Sequence, residues 1–236
     1  MSRPCFPASL EGRLIVSCQA AAGDPLDHLD TLTRIAQSVL RGGAAGLRAN
    51  GADCIAAFRR ETSAPILGIQ KQRFHEAVCI TPDFVAAQTI SQAGADVIAL
   101  DCTTARHQKA EPWPSLVQRI RDDLKKPVLA DIATFDEAMA AEAGGADAVA
   151  TTLYGFTPET DGARCVNWDL VKRLANTLHV PLIVEGHITQ PEEVRRALDL
   201  GAFSVVIGSA ITRPETITAR FVGAISEKHH AIGPPV

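Results

Sequence analysis

Short apolar segments alternate with longer amphipathic segments along almost the whole chain. Eight short segments rich in Val, Ile, Leu and Ala are typical of buried strands. They lie at 14–18, 45–49, 65–70, 96–101, 127–132, 147–153, 181–185 and 203–208. The segments between them place apolar residues at helical spacing, as from Leu29 to Leu40. The pattern predicts a strand–helix unit that repeats eight times.

A glycine motif recurs where each of four predicted helices gives way to a strand. It reads "GGAAGL", "AGADVI", "GGADAV" and "LGAFSV", and it places Gly43, Gly94, Gly145 and Gly201 at helix C-termini. The glycines are 51, 51 and 56 residues apart, about two strand–helix units each. This internal repeat favours a parallel sheet built of equivalent units.

Eight strand–helix units predict an α/β fold, a single-domain (β/α)8 TIM barrel. We expect the catalytic barrel at 12–226, an N-terminal extension at 1–11 and a flexible C-terminal tail at 227–236. The alternative is an open, doubly wound sheet. The chain has no G-x-G-x-x-G after the first predicted strand and no P-loop, which favours the closed barrel.

Composition limits the classes of partner. The 236 residues are 46% hydrophobic and 21% charged, with a net charge of −4 and interspersed signs, so we expect no nucleic-acid or membrane partner. The first 13 residues lack the apolar stretch of a signal peptide, which predicts a cytoplasmic protein. The six cysteines form no C-x-x-C pair, so we expect reduced thiols and no metal site. A nucleophilic cysteine stays an alternative.

Polar side chains follow nearly every predicted strand. In a (β/α)8 barrel the carboxyl ends of the strands meet at one mouth, where the chemistry takes place. The candidates at these ends are Ser17, Cys18, Gln19, Arg48, Asn50, Gln70, Lys71, Asp101, Asp131, Thr151, Thr152, Glu185, Gly208, Ser209 and Arg213. Each alone could form a structural ion pair, but together they predict an active site. Glu185 directly follows the apolar "PLIV", where a carboxylate is costly without a partner or a task.

Two segments predict a phosphate site. "EGHITQPEEV" and "IGSAITRPETI" place small residues just before helix starts, among them Gly186 and Gly208. Backbone N–H groups at such positions bind phosphate, and the last two loops are the usual phosphate corner of these barrels. The alternative is ordinary turn chemistry without a ligand.

Eight stretches, in order, carry a resemblance to a known family. They are "GRLIVSCQ", "GLRAN", "PILGIQK", "DVIALD", "ADIATFDEA", "ATTLYGFT", "PLIVEGHIT" and "VVIGSAITRPETIT". Across about residues 12–222 the chain resembles the bacterial N-acetylmannosamine-6-phosphate 2-epimerases of sialic acid and amino-sugar catabolism. The resemblance implies interconversion of N-acetylmannosamine 6-phosphate and N-acetylglucosamine 6-phosphate without a cofactor. We also expect a homodimer or higher homo-oligomer.

The resemblance also implies roles for single residues. It gives catalytic positions to Lys71, Glu185, Arg48 and Asp131, and substrate-binding positions to Gln19, Thr152, Gly186, His187, Gly208, Ser209 and Arg213. Lys71 and Glu185 follow the third and seventh of eight predicted strands, so they should face each other across the mouth. Two groups on opposite faces suit removal and return of a proton at carbon 2.

Five positions depart from the family pattern and leave substrate identity open. These are Gln70, Gln72, Tyr154, Phe156 and His187, the last in place of an arginine. His187 either contacts phosphate or only caps the following turn. The alternative functions are an epimerase of another sugar phosphate, a lyase that forms a Schiff base through Lys71, and a non-catalytic sugar-phosphate-binding protein.

Overall fold

A closed barrel of eight parallel strands is the centre of the fold. The computed structural model describes residues 5–75 and 77–230. The strands are β1 Arg13–Ser17, β2 Gly46–Asn50, β3 Ile66–Ile69, β6 Val97–Asp101, β7 Val128–Asp131, β8 Ala148–Ala150, β9 Leu182–Glu185 and β10 Ser204–Ile207. Their order around the barrel is β1-β10-β9-β8-β7-β6-β3-β2, and β1 pairs with β2 to close it. The (β/α)8 prediction is confirmed.

Helices follow the strands around the outside. They are α1 Leu29–Arg41, α2 Ala52–Glu61, α3 Phe84–Gln92, α4 Trp113–Arg119, α5 Phe135–Ala143, α6 Trp168–Thr177, α7 Pro191–Asp199, α8 Ser209–Thr212 and α9 Pro214–His230. A π-helical segment, Ile120–Leu124, continues α4. At the start of α5, Thr134 and Glu137 form a capping box, in which each side chain accepts a hydrogen bond from the other residue's backbone N–H. The four glycines of the repeat have φ between 94° and 109°, which favours glycine.

A two-stranded antiparallel hairpin interrupts the strand–helix alternation. It comprises β4 Lys71–Phe74 and β5 Ala77–Ile80, with Lys71 opposite Ile80. The hairpin is not apparent from the sequence, because "KQRFHEAVCI" has no turn signal as strong as Asn-Gly. The strand predicted at 147–153 is also shorter, since the backbone turns at Thr151, whose carbonyl accepts from the Tyr154 N–H.

Both chain ends that are predicted to lie outside the barrel contain ordered residues. Leu10 is fully buried, and the ring of Phe6 packs edge-on against Phe203 at 5.8 Å. The described part of the expected N-terminal extension therefore packs on the barrel. Helix α9 reaches His230, so 227–230 of the expected tail are helical, and 231–236 lie outside the described residues. The boundaries 12–226 stay a prediction.

Side chains alternate between two apolar layers, as the pleat of a strand requires. Residues such as Leu67, Val97, Leu129 and Ile183 fill the barrel interior. Their neighbours in sequence pack outward against the helices. At the carboxyl ends, the inward positions become polar, and this change creates the mouth. In the part of the chain that the structure describes, no helix is long and apolar enough to cross a membrane.

Substitution of Gly68 in β3 tests how tightly the apolar layer between the barrel and the helices is packed. A Cβ on Gly68 would lie 2.6 Å from the Cβ of Ala95 and 3.0 Å from Cδ1 of Ile55. We expect Gly68→Ala to lower the free energy of unfolding by about 1–3 kcal/mol, measured by urea denaturation. Gly223→Ala in α9 is the control, because a Cβ there meets nothing within 4 Å. Equal stability of the two variants would contradict tight packing at β3.

Candidate active site

Arg48 crosses the barrel interior and joins opposite walls. It is the middle residue of β2, its side chain is 1% exposed, and it reaches Asp131 at the end of β7. Nη1 donates to Oδ1 of Asp131 at 2.9 Å, and Nη2 donates to Oδ2 at 2.5 Å. Such a two-pronged pair fixes both side chains in distance and in plane. The core of the site is therefore rigid.

Glu185, at the end of β9, joins the same cluster. Nη1 of Arg48 donates to Oε2 of Glu185 at 2.5 Å, and the Glu185 side chain is 13% exposed. The hydroxyl of Thr152 donates to Asp131 at 2.5 Å and accepts from Nη1 of Arg48 at 3.2 Å. The carboxylate that follows "PLIV" thus has a buried cationic partner, which offsets the cost of its position.

One guanidinium faces two carboxyl groups in this cluster. Burial opposes the charge on Arg48, but Asp131 and Glu185 together raise the pKa of the guanidinium, so it stays protonated. Burial also raises the pKa of Glu185, and Arg48 offsets only part of this effect, while the nearby Asp131 adds to it. Asp131 holds both terminal nitrogens of Arg48. The net effect is a pKa of Glu185 above its ordinary value.

Lys71 lies on the opposite side of the mouth. It is the first residue of β4, directly after β3, and β3 is four positions from β9 around the ring. Its N–H donates to Oδ1 of Asn50 at 2.8 Å. Desolvation by the surrounding protein lowers the pKa of Lys71, and the charge of Arg48 lowers it further. The residue is exposed overall, so this lowering acts on a partly hydrated ammonium and is smaller than in a closed core.

Two buried polar atoms at the mouth lack a hydrogen-bond partner among the described residues. They are Oε1 of Gln19 and Nε of Arg48. The amide nitrogen of Gln19 donates to Oγ of Ser17 at 2.7 Å, which fixes the amide. A buried donor or acceptor without a partner is costly, so both atoms suit contact with a polar ligand.

The loop after β9 is held by His187. This residue has φ of +60°, and its Nε2 lies 2.9 Å from the carbonyl oxygen of Tyr154. Its ring stacks on Phe156 with centroids 5.5 Å apart. Because a carbonyl accepts, Nε2 carries the proton. These contacts join His187 to the preceding loop, while Gln190 and Glu193 form the capping box of α7. A phosphate contact by His187 stays a prediction.

The other predicted positions spread around the last two loops. Gly186 has φ of +99° in the turn after β9, and Gly208 and Ser209 begin α8. Arg213 lies between α8 and α9, close enough for its charge to lower the pKa of Lys71. The structure thus gathers Arg48, Asp131, Thr152 and Glu185 into one bonded cluster, and places Lys71 and Arg213 around it.

The cysteines at strand ends are buried and outside this cluster. Cys18 and Cys102 pack in the layer between barrel and helices, and burial raises the pKa of the Cys18 thiol to about 12. The thiol therefore stays protonated at neutral pH, which disfavours a nucleophilic cysteine there. Within residues 5–75 and 77–230, no group of three or more His, Cys, Asp or Glu is arranged to hold a metal ion.

Two residues at the mouth were not assigned a role from the sequence. Asn50 fixes the backbone of Lys71, and Asp101 is buried at the end of β6 beside Asp131 in register. Both stand at inward positions of strand ends, which is why the sequence already places them among the candidates at the mouth. Oδ1 of Asp101 accepts from the N–H and the hydroxyl of Thr103 at 2.9 and 2.7 Å.

The protein is thus a (β/α)8 barrel whose mouth carries a lysine and a carboxyl group on facing walls, together with a buried arginine–aspartate pair. Comparison with known proteins gives the family. A family model described as "Putative N-acetylmannosamine-6-phosphate epimerase" matches residues 32–227. The chain belongs to this family.

Relatives match over nearly the whole chain. A protein of Caldanaerobacter subterraneus named "Putative N-acetylmannosamine-6-phosphate 2-epimerase" is 41% identical over 227 residues, 94% of each chain. One of Synechococcus elongatus with the same name is 40% identical, over 93% of this chain and 96% of the relative. The solved N-acetylmannosamine-6-phosphate 2-epimerase of Clostridium perfringens superposes with a TM-score of 0.87 at 38% identity, over 92% of this chain and 94% of that one.

A pH-dependent stability follows from the raised pKa of Glu185. The native state binds this proton more tightly than the unfolded chain, whose ordinary value is 4.5. The stability from this group is complete below pH 4.5 and is lost as pH rises through the native pKa. We expect Glu185→Gln to gain stability relative to the native protein over that range, by about 1.4 kcal/mol for each unit of raised pKa.

Urea denaturation of both proteins at a series of pH values measures this difference. Glu159→Gln, at an exposed loop position, is the control for the substitution itself. A difference between Glu185→Gln and the native protein that is constant with pH, or that shrinks as pH rises, would contradict a raised pKa at Glu185.

Proposed function

We propose that the protein interconverts N-acetylmannosamine 6-phosphate and N-acetylglucosamine 6-phosphate by removing and returning the proton at carbon 2. The observation that carries this proposal is the pair Lys71 and Glu185 on opposite walls. The surrounding protein lowers the pKa of Lys71 and raises the pKa of Glu185. Both pKa values are therefore shifted toward neutral pH, where one group can serve as base and the other as acid.

The reaction needs an acidic carbon. In the ring-opened sugar, carbon 2 lies next to the aldehyde, so loss of its proton gives an enolate with charge on the aldehyde oxygen. In the direction we assign first, neutral Lys71 takes the proton, and protonated Glu185 supplies one to the other face. The reverse direction exchanges these roles. No net proton is consumed, and no cofactor is required in this scheme.

Charge on the aldehyde oxygen needs a fixed cation. Arg48 stays protonated, and its Nε lacks a hydrogen-bond partner among the described residues. Asp131 fixes the guanidinium plane, so Arg48 is organised before the charge develops. We assign Gln19 and Thr152 to sugar hydroxyl or amide contacts at the same mouth.

The phosphate of the substrate needs a separate site. We assign it to Arg213 and to the backbone of the loops after β9 and β10, at Gly186, Gly208 and Ser209. Arginine suits phosphate because its planar group donates two parallel hydrogen bonds. His187 in this assignment holds the loop through the Tyr154 carbonyl rather than the phosphate.

Removal of Lys71 tests the base. We expect Lys71→Ala to lower kcat about 10²–10⁴-fold while the protein stays folded, since the residue is exposed at the mouth. Proton NMR of N-acetylmannosamine 6-phosphate with enzyme in heavy water follows epimerisation and deuterium entry at carbon 2 together. Lys172→Ala, at an exposed position of α6, is the matched control.

Three outcomes would change the proposal. Native-like turnover by Lys71→Ala excludes Lys71 as the base. Full epimerisation by Glu185→Gln shows that one base is enough and contradicts the two-group scheme. If borohydride inactivates the enzyme when substrate is present and not when substrate is absent, Lys71 forms a Schiff base, which favours the lyase alternative.

We also propose a homo-oligomer. Phe221 and Ile225 on α9 are 70% and 64% exposed, and apolar side chains of this size are usually covered. We expect light scattering after size exclusion to give at least twice the 25.1 kDa chain mass. Replacement of both residues by Glu should lower that mass, whereas Glu159→Gln should not. A native mass of one chain would overturn this assignment.

A cytoplasmic location fits these features. Charged sugar phosphates are retained inside cells, and a reducing compartment suits buried thiols such as those of Cys18 and Cys102.

A further inference from the structure

Lys71 stands on the hairpin and not on the barrel itself. Among the residues that the structure describes, its strand β4 pairs only with β5, in a separate two-stranded sheet. An isolated two-stranded hairpin is marginally stable in water, so its position must be fixed by contacts outside it. The place of the Lys71 ammonium therefore depends on what anchors the ends of β4 and β5.

Thr81 anchors the hairpin where β5 ends. Its N–H donates to the carbonyl of Gln70 at 2.8 Å, next to Lys71 in sequence. Its hydroxyl donates to the carbonyl of Ala99 in β6 at 2.6 Å, and Thr81 is fully buried. The end of β5 is thus the point at which the hairpin is attached to the barrel.

Arg106, in the loop after β6, binds this same point. Nη2 donates to the carbonyls of Thr81 and Pro82 at 3.0 and 2.8 Å, and Nη1 donates to that of Asp101 at 2.7 Å. Nε donates to the carbonyl of Glu111 at 3.0 Å. One rigid guanidinium therefore fixes the return of the hairpin to the end of a barrel strand.

We propose that Arg106 is a positioning residue that sets the place of Lys71 at the mouth by fixing the hairpin to β6. This proposal rests on the proposed function of Lys71. Nη1 also donates to the carbonyl of Ile80 at 3.4 Å, so the guanidinium reaches five carbonyls in all. A lysine at 106 cannot reproduce this, because an ammonium lacks the planar fork. Displacement of a reacting group by about 1 Å can cost about 10²-fold in rate.

The charged groups around Lys71 give an independent signature. The charged groups that face Lys71 are Arg48, Arg213, Glu185 and Asp131. Desolvation by the surrounding protein lowers the pKa of Lys71, and the two arginine charges lower it further. If the hairpin shifts outward into water, desolvation and arginine repulsion weaken, and the pKa of Lys71 rises toward its ordinary value of 10.5. The acid limb of the pH–rate profile should move to higher pH with it.

Arg106→Lys tests this, and Arg119→Lys is the matched control. Arg119 binds Oε1 of Glu111 at 2.7 Å and lies over the Phe84 ring, so it holds the same part of the chain without touching the hairpin. We expect Arg106→Lys to lower kcat for N-acetylmannosamine 6-phosphate roughly 10–100-fold, with KM within about twofold. Arg119→Lys should keep kcat within about twofold.

The pKa of Lys71 is measured without substrate, by carbon-13 NMR of reductively methylated protein, with the signal assigned from Lys71→Arg. It should rise in Arg106→Lys and not in Arg119→Lys. An unchanged pKa, a loss confined to KM, or an equal loss in both variants would overturn the proposal. If Arg106→Lys does not fold, Arg106→Ala with guanidinium chloride replaces it: restored kcat supports the proposal, and absence of rescue overturns it.

The two proposals fail separately. A native protein that leaves N-acetylmannosamine 6-phosphate unchanged refutes the proposed function. The pKa of Lys71 in Arg106→Lys still decides whether Arg106 fixes the hairpin.

Discussion

The buried pair between Arg48 and Asp131 is the constraint on which the mouth of the barrel depends. Two hydrogen bonds, at 2.9 and 2.5 Å, join β2 to β7 across the interior. Removing one partner of such a pair leaves a buried charge without compensation, at a cost of about 3–5 kcal/mol. The pair also places the guanidinium of Arg48 within hydrogen-bond distance of Glu185, so one fixed cation faces both carboxyl groups at the mouth.

Rigidity is unevenly distributed around this centre. Glu185, Asp131 and Arg48 project from barrel strands, whose backbones are fixed by neighbours on both sides. Lys71 projects from a hairpin that pairs only with itself. The base side of the proposed mechanism is therefore the side whose geometry depends on individual contacts, those of Asn50, Thr81 and Arg106.

The mouth combines groups that would destabilise an ordinary core. At this mouth stand a carboxyl group with a raised pKa and a lysine with a lowered pKa. Two buried polar atoms there have no hydrogen-bond partner among the described residues. Proteins retain such arrangements mainly at functional sites. In this fold the closed apolar layers beneath the mouth offset their cost.

The sequence alone determined the barrel, because eight apolar strands, helical spacing and four repeat glycines are local signals that agree with one another. It also indicated the strand-end residues, since parity along a strand decides which side chains point inward. Only the tertiary structure decided that Arg48 pairs with Asp131, 83 residues away, and that His187 binds the Tyr154 carbonyl. It alone revealed the hairpin and its attachment through Arg106, because such contacts depend on distances between loops that no local pattern encodes.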